Sequence, residues 1–554
     1  MKGTIWITWV AAAGLCVATV SAQAPAPQQP SGLVLGVVVD SLSDKPVPEA
    51  VVTIGTNKVK ADAEGRFVFT DLAKGYYSID VAKPGYLDGA YGRQRPAGPA
   101  AMLALGTDER IGNLRIALFR LAAISGQVLD EAGQPVVGAE VQVLAKTWLG
   151  GRLVLVRGDS ILSDDRGAYR IGGLGAGEFV VAVTFQSMPI VRSDGNFTYP
   201  VHYFPGGTSI EQATAVGVKV GEDHSGIDIS LGLSPASRVS GIIRSPNGPL
   251  AAVVVLATSG EGLGAGVDLE VAEKTSEPSG GFMFLAVPAG SYAAKSLVRP
   301  SAIRAENSLA PARLMWASTP VIVSGADLSN VEVQLRPGFR ISGRLVFETS
   351  SGSRGPGYDV VRRLTAAIDS LEVDTRTLGE AAALSFDGSG FFSSTELPPG
   401  RYFIRLDNPP AGWTLKAITF RGRDISNAPV RLDSDVGGLT ITLTDRPTDL
   451  GGFVRGAAGP IEGSTVLVFP RDRATWIDFG RKPLGLRAIR SSRDGSFHFV
   501  GLPPGDYYLI AVDDAAATDW QQSKRLEALA PPATQVTLAA GEQRSLDIRP
   551  TVIR

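Results

Sequence analysis

One spacing, repeated five times, constrains this chain more than any other feature. A glycine is followed by an aromatic residue two positions on and an aliphatic residue five beyond that. A second glycine comes three later and a second aromatic two later. The first copy is Gly65, Phe67, Leu72, Gly75 and Tyr77, and the second is Gly167, Tyr169, Leu174, Gly177 and Phe179. The third runs Gly280, Phe282, Val287, Gly290 and Tyr292; the fourth Gly390, Phe392, Leu397, Gly400 and Tyr402; the fifth Gly495, Phe497, Leu502, Gly505 and Tyr507. Successive first glycines lie 102, 113, 110 and 105 residues apart. Each repeat is therefore a domain-sized unit and not a solenoid turn of ~20–50 residues. The length of 554 residues agrees, since ~100–200 residues per domain predicts roughly three to five units.

Each position has a physical reason. Tight turns such as Asp165-Arg166-Gly167 and Arg493-Asp494-Gly495 need positive φ at the last residue, which predicts hairpins between paired antiparallel strands. Phe67 and Phe69, Phe282 and Phe284, and Phe497 and Phe499 are two apart and so share the buried face of the emerging strand. Pro398-Pro399-Gly400 and Pro503-Pro504-Gly505 predict type II turns. The strands that follow alternate, as in Tyr77, Ile79 and Val81. Each repeat opens on a strand with glycine among apolar residues, at Gly36, Gly126, Gly241, Gly343 and Gly451-Gly452. Each closes on an alternating strand: Leu114, Ile116, Leu118; Ile227, Ile229, Leu231; Val331, Val333, Leu335; Leu439, Ile441, Leu443; Leu546, Ile548. The next unit begins within a few residues, so the linkers are short and a stiff, elongated string is expected.

About seven short strands per ~100 residues is the arithmetic of a Greek-key β-sandwich. The fold class expected is all-β, a tandem array of five sandwiches at 33–121, 122–236, 237–338, 339–447 and 448–554. Helix is minor. Trp520 to Leu529 is the best candidate, with Leu526 and Leu529 covering a sandwich edge and Pro531-Pro532 ending it. The stretch from Asp359 to Ala382 is open between a helix and two strands.

The motif Asp-x-x-Gly-x-Phe followed by Leu-Pro-Pro-Gly-x-Tyr, after a Gly-x-Val strand, resembles the carboxypeptidase regulatory-like domains. The likeness spans nearly the whole chain after residue 32. It implies a transthyretin-like or starch-binding-like sandwich, also called a carbohydrate-binding-like fold, of a kind found in tandem in exported bacterial proteins. The segments Tyr199 to Gly207 and Gly412 to Arg446 also look like parts of large exported multi-repeat proteins of soil bacteria. The resemblance implies a fold and transfers no catalytic residues.

Residues 1–24 begin with Lys2, continue through an apolar run from Ile5 to Val20 and end in Ser21-Ala22-Gln23-Ala24. This is a secretory signal peptide pattern, cut after Ala22 or Ala24. A Pro- and Gln-rich lead-in, 25–32, follows. A retained N-terminal anchor is the competing reading, because the run approaches the ~20 residues that span a bilayer. Cys16 is the single cysteine. It follows Leu15, where a lipoprotein site needs a small residue, and its removal leaves a chain without disulfides. No later segment offers 18 uninterrupted apolar residues, so no stable transmembrane segment remains after cleavage. The location expected is periplasmic, cell-surface or extracellular. The 65 glycines and 36 prolines exceed the usual ~12% combined share and fit a turn-rich chain that still folds. Net charge is −2, which offers no basic excess for a phosphate backbone and argues against nucleic acid.

The chemistry-bearing residues are sparse. His202, His224 and His498 are the three histidines, and none is followed by a second ligand at helical spacing, so no zinc site is expected. His498 should face away from Phe497 and Phe499. Gly388-Ser389-Gly390 has the wrong spacing for a nucleophile elbow and lies in a repeated turn. Asp44, Asp62 and the pair Asp164-Asp165 lack a calcium-loop pattern and suit turn stabilisation. An intramolecular Lys–Asn crosslink is disfavoured, because the opening strands at Val37–Asp40, Gln127–Asp130 and Ile242–Arg244 carry no lysine. Asn196-Phe197-Thr198 fits a glycosylation sequon, to which an exported bacterial chain gives little weight. Trp148, Tyr199, Tyr203, Phe204, Trp413, Trp476 and Trp520 fall in loop-like segments. They either stack on sugars or pack loops and junctions, and packing is preferred. No catalytic, cofactor-binding or metal-binding residue is assigned, and no cofactor. The leading function is a non-enzymatic binding or scaffold protein of the cell envelope, with an envelope protein or a carbohydrate as partner, or a strand accepted at an exposed sheet edge. A carbohydrate-binding accessory to polysaccharide degradation is one alternative, and an enzyme with an unrecognised site is another.

Overall fold

The structure, a computed structural model, describes residues 32–185, 189–259, 267–300, 313–350, 355–371, 382–406, 408–481 and 483–553. The signal peptide and lead-in expected at 1–32 fall almost entirely outside the described residues. The protein is almost all β, built of many small sheets, as a multi-domain β-sandwich architecture requires. No helix among the described residues is long and apolar enough to cross a membrane, which leaves β-barrel strands unaddressed.

The same three-strand unit occurs in every repeat. An opening strand lies between the strand carrying the first motif aromatic, antiparallel, and the closing strand, parallel. Gly32–Asp40 pairs with Arg66–Leu72 and Arg110–Arg120. Ala122–Leu129 pairs with Ala168–Leu174 and, in parallel, with Asp223–His224 and Ile229–Ser230. Ser234–Ser245 pairs with Gly281–Pro288 and Leu328–Gln334, Ile341–Glu348 with Phe391–Ser394 and Val436–Thr444, and Asp449–Phe453 with Ser496–Phe499 and Gln543–Ser545.

The opening glycines are required by close approach. A Cβ on Gly36, Gly126, Gly241, Gly343 or Gly452 would stand 2.6, 2.1, 2.0, 2.1 or 2.0 Å from the carbonyl oxygen of Leu114, Ile227, Val331, Leu439 or Leu546 on the closing strand. The rings of Phe67, Phe282 and Phe392 fill the same missing space, within 2.7 Å of that hypothetical atom. In the second repeat the ring is Tyr169, whose hydroxyl donates to Ile227 O at 2.6 Å. The first motif glycines hold φ of +67° to +83°, and their carbonyls accept from the opening strand, as in Val38 N–H to Gly65 O at 2.8 Å and Ile243 N–H to Gly280 O at 2.8 Å.

Two turn expectations are corrected. The turn at the first glycine makes a hairpin only in the fourth repeat, where Leu384–Phe386 pairs with Phe392–Ser394. In the other four it carries the chain from one sheet to the other: Asn57–Lys60 pairs with Val51–Ile54, whereas Arg66–Leu72 pairs with the opening strand. Local hydrogen bonds close the turn in both cases, so the sequence signal is the same while the strands diverge. The second motif glycines Gly75, Gly177, Gly290 and Gly400 do not take the positive φ of a type II turn; each starts a strand. Gly75, Gly177 and Gly290 lie under the ring two residues on, where a Cβ would stand 3.7, 3.9 and 3.0 Å from Tyr77, Phe179 and Tyr292. Tyr77, Tyr292, Tyr402 and Tyr507 each donate the hydroxyl to the carbonyl four residues earlier, at 2.7, 2.9, 2.9 and 2.6 Å.

Among the described residues, helix is confined to short pieces. Ser523–Leu529 is helical, beginning three residues later than expected, and buries Leu526 and Leu529 against Phe469, Trp476 and Trp520. In the open stretch both readings occur in part: a helix at Tyr358–Arg362, then strands Thr365–Ser370 and Ala382–Phe386, with 372–381 outside the described residues.

The elongated string is overturned. The fifth repeat contacts the first, second and fourth. Short linkers limit reach without fixing direction, and several sheets carry apolar residues on both faces. Thr465–Pro470 is buried on both sides, with Val466 and Val468 in one core and Leu467 and Phe469 in another. Leu144, Leu155, Val180 and Ala182 on the outer face of the second repeat join the core of the third. Glu396 is buried between the third and fourth repeats, where Arg313, Arg340 and the Leu314 amide meet it at 2.7, 3.2 and 2.5 Å.

Gly241→Ala is expected to cost about 1–3 kcal/mol or more through forced overpacking, whereas Gly217→Ala, with open space around it, stays within ~0.5 kcal/mol. Thermal and urea unfolding of the two variants beside the parent checks the contrast; equal stabilities would refute the close-approach account.

Candidate functional site

A cluster of charge beside a cavity lies where the first repeat meets the fifth. It is built by the loop between the strands Gly89–Ala90 and Leu103–Leu105. Gly92, at φ +77°, lets the loop fold back so closely that a Cβ there would stand 2.6 Å from that of Ala101. Ala101 N–H donates to Tyr91 O at 2.8 Å. Arg93 fixes the interior, donating to Asp88 O at 2.6 Å and Gly98 O at 3.1 Å.

The loop then docks on the edge strand Arg487–Arg490. Ala101 pairs in parallel with Arg490, whose N–H donates to Ala100 O at 2.9 Å, and Ser492 Oγ donates to Met102 O. One carboxylate holds two guanidiniums. Asp514 receives Arg95 Nε at 3.0 Å and Arg490 Nη1 at 3.1 Å, while Arg95 also reaches Ala517 O at 3.0 Å and Arg490 reaches Gly463 O. Burial lowers the pKa of Arg490, Asp514 raises it and Arg95 lowers it again; an arginine remains charged throughout. A second shared carboxylate, Asp478, joins three repeats. It meets Arg152 of the second at 2.8 Å and Arg401 of the fourth at 3.3 Å, and its N–H donates to Gly150 O at 2.7 Å.

Beside the docked loop is a cavity of about 960 Å³, closed on a third side by Val220 of the second repeat. A neighbouring cavity of about 630 Å³ lies across Tyr91. Burial, followed by the charge of Glu462, pushes the Tyr91 hydroxyl up to about 12.

The residues singled out in the sequence are dispersed. His202 is buried; its Nδ1 donates to Pro200 O at 2.8 Å and its Nε2 accepts from Gly232 N–H at 2.8 Å. Carbonyl and amide leave a single choice of roles, so this ring is the neutral Nδ1–H tautomer, and burial holds its pKa below the ordinary value. His224 pairs with Glu222 at 3.0 Å. His498 lies against Tyr76 of the first repeat, 5.1 Å between ring centroids, on the side away from the buried Phe497 and Phe499. No group of three or more His, Cys, Asp or Glu able to hold a metal occurs among the described residues.

Asp62 and Asp164 accept backbone amides two and four residues on, at 3.0 and 2.7 Å and at 2.9 and 2.8 Å, and Asp44 pairs with Arg115. Asp165 is exposed, and Ser389 Oγ donates to Asp387 at 2.8 Å within its turn. Tyr199, Tyr203, Trp476 and Trp520 are buried, Tyr203 at the wall of a cavity of about 790 Å³. Trp476 also donates to Pro470 O at 2.8 Å. Phe204, half-buried, packs on the core of the second repeat, and Trp413 stands edge-on to Phe347 at 4.9 Å. Trp148 is half-buried and Asn196 exposed.

Sequence reasoning passed over Arg95, Arg490 and Asp514. The basic insertion Arg93-Gln94-Arg95 in the first repeat was the available signal; nothing local points to a partner 419 residues away.

Residues 34–104 match the family model of the carboxypeptidase regulatory-like domain. No curated protein matches the chain. Among solved structures, the Bacillus anthracis TIE protein aligns at 10% identity and a TM-score of 0.16, over 71% of this chain and 66% of that one. A minor pilin of Streptococcus agalactiae aligns at 13% identity and 0.21, over 37% and 97%, and the major pilin subunit of Bacillus cereus at 9% and 0.15, over 78% and 99%.

Asp514→Ala leaves Arg490 buried and uncompensated and should cost about 3 kcal/mol, read as faster amide exchange at 98–103 and 487–493. The His202 pKa is depressed on folding, so its contribution to stability is present above the unfolded value of about 6.5 and is lost as pH falls through the lower folded value. An NMR titration of His202 should give a midpoint below 6.5; a midpoint above it would refute the assigned hydrogen bonds.

Proposed function

We propose that this chain is an exported, non-enzymatic binding or scaffold protein of the cell envelope. In this reading, five tandem sandwiches of the carboxypeptidase regulatory-like type, at 33–121, 122–236, 237–338, 339–447 and 448–554, close on one another to form a rigid platform. The pattern from Lys2 to Ala24 supports export with removal of the leader. The fivefold motif and its glycine geometry support five related units.

The observation that carries the reading is how the chemistry-bearing side chains are employed. Both nitrogens of His202 hold backbone, Asp62 and Asp164 cap turns, Ser389 bonds within its own turn, and Asp478 and Asp514 join repeats. These groups do structural work that substrate chemistry would have to undo. The cleft between the first and fifth repeats exists only when the platform is closed, which couples assembly of the units to binding.

Small-angle scattering of the mature protein tests the platform. A compact particle is expected, and the double variant Asp478→Ala/Asp514→Ala should shift it toward a larger radius of gyration. An extended profile from the unaltered protein would overturn the reading. Crosslinking with mass spectrometry of envelope fractions then identifies the neighbour.

A further inference from the structure

We propose that the cleft between the first and fifth repeats binds a small carboxylate-bearing anion. The inference rests on the platform described above and adds the class of ligand. The argument is one of charge balance. Arg93, Arg95, Arg115, Arg490 and Arg493 all line the cavity of about 960 Å³, against Glu462 as its one acidic lining residue. Asp44 pairs with Arg115, and Asp514 is divided between Arg95 and Arg490.

That leaves positive charge in excess. Arg93 spends its hydrogen bonds on the carbonyls of Asp88 and Gly98, which hold the guanidinium in position without neutralising it. Arg493 is exposed and forms no hydrogen bond or ion pair with any described residue. The adjacent Asp494 keeps its charge while accepting from the amide and hydroxyl of Ser496, at 3.0 and 2.6 Å, but it lines the neighbouring cavity and not this one. Planar guanidiniums match carboxylates through paired N–H donors. Gln94 and Asn113 on the same wall supply neutral hydrogen-bonding groups. The cavity sits at the upper end of the ~300–1,000 Å³ range of small-molecule sites, too small for a folded partner. A cluster this confined on a chain of net charge −2 also lacks the basic track that a nucleic acid needs.

The test is calorimetric titration of the full mature protein with citrate, with trigalacturonate and with maltotriose as a neutral control. Binding of either carboxylate is expected, weakening as salt is raised, with maltotriose silent. Preference for citrate identifies a free carboxylate as the source, and preference for trigalacturonate an acidic glycan. Arg115→Ala/Arg493→Ala should weaken binding at least about tenfold. Arg493→Gln, at an exposed position without partners, should weaken it while leaving the thermal transition unchanged. No response to either carboxylate, equal binding of maltotriose, or unaltered affinity in the variants would overturn the site. A compact particle that ignores carboxylates refutes this inference alone, whereas an extended particle removes the platform as well.

Discussion

Each repeat depends on a carbonyl that approaches the opening strand more closely than any side chain would permit. The closing strand runs parallel to the opening one, and its carbonyl occupies the space where a Cβ would stand on Gly36, Gly126, Gly241, Gly343 or Gly452. The pairing register shifts beside the glycine in the first, third and fourth repeats, the local irregularity expected where a strand bends around a close contact. In the first, third and fourth repeats the motif aromatic closes the same gap from the other side. Glycine, ring and carbonyl therefore form a single packing unit, and the alternating closing strand brings its apolar residues into the core only because that unit sets its distance.

Much of this was legible in the sequence. Period-two alternation identified Leu114, Ile116 and Leu118 and their counterparts as inward-facing, and these are buried, except Val331 and Leu546, which are half-buried against their cores. Leu526 and Leu529 were likewise readable as the apolar side of a short helix. The destination of the strands was not readable. Identical turns at Gly65 and Gly390 lead to a change of sheet in one repeat and a hairpin in another, because a turn encodes local dihedrals while sheet membership is decided by what the strand packs against. The arrangement of the repeats was also hidden, although one clue existed. The run Thr465-Val466-Leu467-Val468-Phe469 is apolar at every second position on both faces, and a strand of that kind needs cover on both sides.

Closure of the repeats combines two kinds of contact. Apolar burial supplies the non-directional part, as where the outer face of the second repeat enters the core of the third. The shared carboxylates supply direction. Asp478 and Asp514 each accept two arginines from separate parts of the chain. The pair of buried Arg490 with Asp514 adds little net stability but penalises any arrangement that separates the two, whereas Arg152 and Arg401 meet Asp478 from exposed positions, where a pair contributes about 0–1 kcal/mol. The loop strand at Ala101 adds a further directional element by lying along the edge strand that ends at Arg490, covering part of an edge that would otherwise be open to other chains.

The choice of cation at the cleft follows from the same geometry. All five basic residues lining it are arginine. A lysine in the position of Arg490, almost wholly buried, could escape the cost of desolvation by losing its proton, and the local field would then vanish. Arginine has no such route: burial lowers its pKa, yet from a value so high that the charge persists. The residues that clamp the first repeat to the fifth thus also fix a positive potential in the cavity beside them. The guanidinium charges themselves do not titrate over the range in which histidines and carboxylates do. Closure of the repeats and the electrostatic character of the cleft are consequently one property, set by where the guanidiniums come to rest when the first repeat meets the fifth.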